Sequence, residues 1–154
     1  LIPALAVTFP DLFDAAAEPF ESLEAASASS WVGGDVLGEG IEKHGAIKDL
    51  HFYDFGTHAL EPLEKAGVLH LPCLAIDGAV VSMSMPNPPN ARGADPQPGN
   101  KLRSWGKLLP GWFIKADESG GLRAHGPAAP AAGLPLPEGC TLDQDNFLIA
   151  AEPA

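Results

Sequence analysis

Ala66-Gly-Val-Leu-His-Leu-Pro-Cys-Leu-Ala-Ile-Asp-Gly-Ala-Val-Val81 packs a helix stop, two apolar runs and a tight-turn dipeptide into one short stretch. Gly67 ends whatever helix precedes it, because only glycine adopts the left-handed C-terminal cap without strain. Val68–Ile76 then reads as a strand rich in β-branched and aliphatic residues, and Ala79–Met85 as its partner. Asp77-Gly78 tolerates the two positive φ angles of a type I′ turn, so the two runs form an antiparallel hairpin. The Pro- and Asn-rich segment 86–100 cannot enter a sheet interior and closes the unit.

Upstream, Ile47–Phe55 carries Leu50, Phe52, Tyr53 and Phe55 and reads as a buried strand. Thr57 is placed to cap a helix running to Ala66, with Leu60, Leu63 and Ala66 as its apolar stripe. Ser27–Ala46 is rich in Ser and Gly and reads as a loop with one helical turn around Ile41–Lys43. Ala6–Phe9 reads as a strand. In Asp11–Ala26, Leu12, Phe13, Ala16, Phe20 and Leu23 share one helical face opposite Asp11, Asp14, Glu18 and Glu21, and Pro19 kinks the helix. Downstream, Trp112–Ala116, the turn Asp117–Gly121 and Leu122–His125 form a second hairpin. Thr141–Ala150 ends as a strand after a Pro- and Ala-rich stretch.

In order, residues 1–85 give strand, helix, strand, helix, strand, strand. This β-α-β-α-β-β order resembles the thioredoxin fold, and the Lys65–Val80 segment looks like the place where that family ends a helix at Gly, reaches a Pro and enters a hairpin. The resemblance implies an α/β domain over 1–85 with a cis peptide before Pro72, and a Pro-rich extension over 86–154 containing the hairpin near 112–125. It also implies a cleft formed by Asp11, Asp14, Pro72 and Cys73. Counting back from Pro19 sets Asp11 and Asp14 where the family carries its Cys-x-x-Cys pair, so dithiol exchange has neither nucleophile nor resolving thiol.

A net charge of -11 and a pI near 4.6 exclude general nucleic-acid binding, which needs a surplus of Lys and Arg. No apolar run reaches the roughly 20 residues that span a bilayer, so no transmembrane segment is expected. Lys101, Arg103, Lys107 and Lys115 interleave with Trp105 and Trp112 in a span without acids, a composition suited to a protein partner or a membrane surface. The chain begins at Leu1 without a basic leader, which fits a processed organellar or secreted protein, or a fragment; localisation stays open.

No cofactor motif stands out: there is no Walker A, and Gly33-Gly34 and Gly38-Glu-Gly40 lack the strand and helix that phosphate binding requires. Cys73 and Cys140 form either one disulfide or two buried thiols. His51, Asp54 and His58 have metal-ligand chemistry but no convergent spacing, and His70 and Cys73 point to opposite faces of one strand, so no metal site is expected. Ser82 and Ser84 lack a nucleophile elbow. The expectation is a non-catalytic accessory or scaffold subunit working through protein-protein contacts. The alternatives are a single-cysteine or glutathione-transferase-like enzyme at the Pro72 cleft, and a peripheral membrane protein anchored through Trp105 and Trp112.

Overall fold

A computed structural model describes residues 30–43, 49–88 and 98–153. Among them are ten strands and one helix, so the described part is mostly β. It divides into two compact units, which meet between Pro72 and Cys73.

The described part of the first unit opens with β1 (Ser30–Gly33), α1 (Asp35–Lys43) and β2 (Leu50–Asp54), followed by the first half of β3 (Val68–Ile76). These strands are parallel, with Trp31 opposite Phe52 and Phe52 opposite His70. Side chains alternate between faces along a strand, so Trp31, Leu50, Phe52, Asp54 and His70 share one face. Leu37 and Ile41, one turn apart on α1, pack with Trp31, Leu50 and Phe52 into a buried core. Gly38 faces the Phe52 ring, where a methyl group would stand 3.7 Å away, in ordinary van der Waals contact.

In the second unit the other half of β3 pairs antiparallel with β4 (Ala79–Met83), and β4 pairs with β5 (Ser104–Leu108). β5 continues to β10 (Phe147–Ile149), and that strand to β9 (Thr141–Leu142). A separate antiparallel sheet joins β6 (Phe113–Ala116), β7 (Leu122–His125) and β8 (Leu134–Pro135). Its core gathers Val81, Ala124, Leu136, Cys140 and Leu148, with Trp105 and Trp112 packed against them.

Both hairpins occur where the local sequence places them. Asp77 and Gly78 have φ of 50° and 79°, the signature of the turn that Asp-Gly favours. The expected β-α-β-α-β-β arrangement does not occur among the described residues, for three physical reasons. Thr57–Ala66 forms no helix: Pro62 removes a backbone donor in its middle, and residues 56–61 close two short turns instead, Ala59 N to Gly56 O and Glu61 N to His58 O. The Leu71–Pro72 bond is trans, and Pro72 is a strand residue opposite Asp54. Residues beyond 100 are no appendage, since β5, β10 and β9 extend the β3–β4 hairpin.

A further correction concerns Ser27–Ala46, read as loop. It contains β1 and α1, because burial of Leu37 and Ile41 outweighs the propensity cost of about 1 kcal/mol for each of Gly38 and Gly40. The predicted strand Ala6–Phe9 and helix Asp11–Ala26, with Asp11 and Asp14, lie outside the described residues.

Candidate functional site

The described part of the first unit carries a cleft of about 230 Å3 on the face covered by α1. Its floor is Phe52 and Asp54 from β2 and His70 from β3; α1 supplies one wall, and the segment from His58 to Leu63 the other. Asp54 is the last residue of β2, so the cleft opens at the carboxyl ends of parallel strands, where open α/β sheets ordinarily bind ligands.

Asp35 holds the two walls together. As the first residue of α1 its carboxylate accepts the Thr57 N–H and hydroxyl at 3.1 and 2.5 Å through Oδ2, and the His58 N–H at 3.1 Å through Oδ1. Partial burial pushes the Asp35 pKa upward. The Thr57 hydroxyl and the two N–H groups, with the charge of His58, outweigh this and hold it below its ordinary 3.8. Thr57 is thus spent on Asp35 rather than on capping a helix.

The floor is a second carboxylate clamp. Asp54 accepts the Gly56 N–H at 2.8 Å through Oδ1 and lies 2.8 Å from His70 Nε2 through Oδ2. Both side chains are nearly buried, 12 % exposed for His70 and 9 % for Asp54. Phe52 stacks on the imidazole with centroids 5.5 Å apart, which fixes the ring plane. A carboxylate only accepts hydrogen bonds, so Nε2 carries the proton in this pair.

The remaining charges face a ligand space. Glu39 and Glu42 line the cleft one turn apart on α1, and neither makes an ion pair among the described residues. Of the neighbouring cations, Lys65 donates to the Glu42 carbonyl at 2.9 Å, and Lys43 is the last residue of α1. Glu61 lines the opposite wall and meets His58 Nδ1 at 3.1 Å on the surface. Five carboxylates therefore surround two imidazoles.

Pro72 stands beside the floor as the strand neighbour of Asp54 and does not line the cleft. Cys73 is 1 % exposed, and it too is absent from the lining. Cys140 is likewise buried, which raises its thiol pKa, and the two cysteines form no disulfide. The basic and aromatic residues of 101–115 are engaged within the second unit. Lys101 binds Asp143 and Asp145 at 2.5 and 2.7 Å, and Arg103 donates to the Ala151 carbonyl. Lys107 lies 5.2 Å from the Phe147 ring centroid and Lys115 the same distance from that of Phe113, while the two Trp side chains pack on the core.

No group of three or more His, Cys, Asp or Glu side chains among the described residues is placed to hold a metal ion. His51 points to the face of β2 opposite Asp54, so it joins neither Asp54 nor His58. No helix among the described residues is long and apolar enough to cross a membrane. Sequence reading named Asp54 and His70 separately but not as a pair; the signal that would have joined them is the parallel register of β2 and β3. Compared with family models, with curated proteins and with solved structures, the chain finds no match.

Proposed function

We propose that the protein is a non-catalytic binding subunit whose first unit receives a positively charged side chain of a protein partner in the Asp54–His70 cleft. The observation that carries this reading is the pair of carboxylates Glu39 and Glu42, without an ion pair among the described residues, above a floor whose Asp54 carboxylate is already hydrogen-bonded. Like charges one turn apart on a helix repel by a few tenths of a kcal/mol, and a bound ammonium or guanidinium relieves that cost. At about 230 Å3 the space lies below the roughly 300–1,000 Å3 of pockets for drug-sized ligands and suits a single side chain. The net charge of -11 draws a basic partner toward it. None of the lining residues is a Ser, Thr or Cys, so the cleft offers a ligand hydrogen bonds and charge rather than a hydroxyl or thiol nucleophile.

Amide chemical shifts followed by NMR during titration with acetyl-Gly-Arg-Gly-amide test the reading. Shifts confined to α1, residues 54–63 and His70, weakened by added salt and abolished in a Glu39→Lys, Glu42→Lys variant, are the expected result. Equal shifts with acetyl-Gly-Glu-Gly-amide, or none at the cleft with the Arg peptide, overturn it.

A further inference from the structure

Among the described residues, the floor of the cleft holds one polar atom without a hydrogen-bond partner. His70 Nε2 is committed to Asp54, and Phe52 covers one face of the ring. Nδ1 has no hydrogen-bond partner among the described residues, although the imidazole lines the cleft. Because the Asp54 carboxylate fixes the proton on Nε2, a neutral His70 carries a lone pair on Nδ1.

We infer that His70 Nδ1 is the hydrogen-bond acceptor for an N–H of the bound cation, and that protonation of this ring expels the cation, making the cleft an acid-release site. This rests on the cation-binding reading of the cleft. Protonation acts twice: it turns Nδ1 from acceptor to donor, and it adds a positive charge beside the ligand while keeping the bond to Asp54. The sign follows directly. Binding belongs to the neutral ring and is lost when the ring takes up a second proton.

The other titrating groups around the cleft are Asp35, Glu39 and Glu42 on α1, Asp54 on β2, and His58 and Glu61 on the opposite wall, with Lys43 the last residue of α1 and Lys65 hydrogen-bonded to the Glu42 carbonyl. Carboxylates as a class keep their charge down to about pH 5, so a change between about pH 7.5 and 5.5 covers the range in which imidazoles as a class change charge and carboxylates do not. His58 is well exposed and bonded to Glu61, and a His58→Gln variant removes it from consideration.

Calorimetric titration with acetyl-Gly-Arg-Gly-amide at those two pH values provides the test, with the wild type, His58→Gln and His70→Asn compared. Asn sets a neutral acceptor near the place of Nδ1. The expected result is a loss of affinity of about tenfold or more on acidification for wild type and His58→Gln, the size of a 1.4 kcal/mol change. His70→Asn, whatever its affinity at neutral pH, should lose less than about threefold in acid. A fall in His70→Asn as steep as the wild type's overturns the inference and leaves the binding reading standing. Absence of binding by wild type at either pH removes both. Independently of any ligand and of how well His70→Asn folds, the imidazole nitrogen shifts of wild-type His70 must show an unprotonated Nδ1 at pH 7.5. A proton on Nδ1 instead refutes the assignment outright.

Discussion

Replacing Asp35 by Ala should loosen the first unit by about 2 kcal/mol. Three hydrogen bonds disappear, from the Thr57 N–H, the Thr57 hydroxyl and the His58 N–H. Each is worth about 0.5–1.5 kcal/mol net, and partial exposure places them toward the lower end of that range. A favourable charge at the start of α1 is lost as well, about 0.3–1 kcal/mol. Against this stand the better helix propensity of Ala, about 0.5 kcal/mol, and relief of repulsion with Glu39, a few tenths. The hydrogen bonds win. Urea unfolding followed by Trp31 fluorescence measures the effect, because Trp31 belongs to the core of the first unit while Trp105 and Trp112 belong to the second. In a Trp105→Phe, Trp112→Phe background the midpoint should fall by about 1 M. Amide exchange at Thr57 and His58 should accelerate together. The pKa of Asp35 is held low in the folded protein, so its contribution exists above the unfolded value near 3.8 and fades as pH falls through the folded one. The difference between wild type and variant should therefore vanish in strong acid. A midpoint shift below about 0.3 M with unchanged exchange at Thr57 and His58 would refute the clamp.

Gly106→Ala should yield insoluble or unfolded protein, seen as loss of the folded fraction on size exclusion. A methyl group there would lie 1.9 Å from the Met83 carbonyl carbon, and φ is 89°. Cys73 and Cys140 should resist a thiol reagent until denaturant is added, because both are buried and burial raises the Cys140 pKa; rapid labelling of either in the native state would contradict their placement. Lys101→Met should lower the melting temperature near neutral pH by leaving Asp143 and Asp145 without their shared cation. Hydrogen bonds to Asp143 and Asp145 raise the Lys101 pKa. Asp143 is pushed upward by partial burial, but Lys101 and the N–H groups of Phe147 and Asp145 hold its pKa low. The tie is thus complete between the two titrations, lost as pH rises through that of Lys101 and lost as it falls through that of Asp143. Melting curves that coincide across this range would show the tie to be inert.

What was legible in the sequence was what is encoded locally. Asp77-Gly78 needs no partner beyond its own two strands to select a turn, and the same holds for the 113–125 hairpin, where Asp117 Oδ1 accepts the N–H groups of Ser119 and Gly121. β1 and α1 were invisible for the opposite reason. Their glycines lower propensity in isolation, and the need for one of them shows only in three dimensions: at Gly33 a methyl group would stand 2.5 Å from Leu37. Thr57 misled because a threonine ahead of an apolar stripe looks like a cap, whereas its hydroxyl serves a carboxylate 22 residues earlier.

The cleft follows the same rule at longer range. Asp54 and His70 are 16 residues apart, and neither sits in a motif. Their meeting depends on β2 and β3 being parallel and in register so that Phe52 faces His70; the diagonal neighbour on the same face is then Asp54. A shift of register by one residue would send His70 to the far face and put Leu69 or Leu71 on the cleft floor. The buried pair therefore reports on strand pairing as much as on ligand binding. A His70→Leu variant separates the two roles. If burial of an apolar side chain over Phe52 compensates for the lost bond to Asp54, stability holds and binding alone fails. If Asp54 left without its imidazole unfolds the unit, the pair is a structural lock first, and a ligand makes use of the lone pair that the lock leaves over.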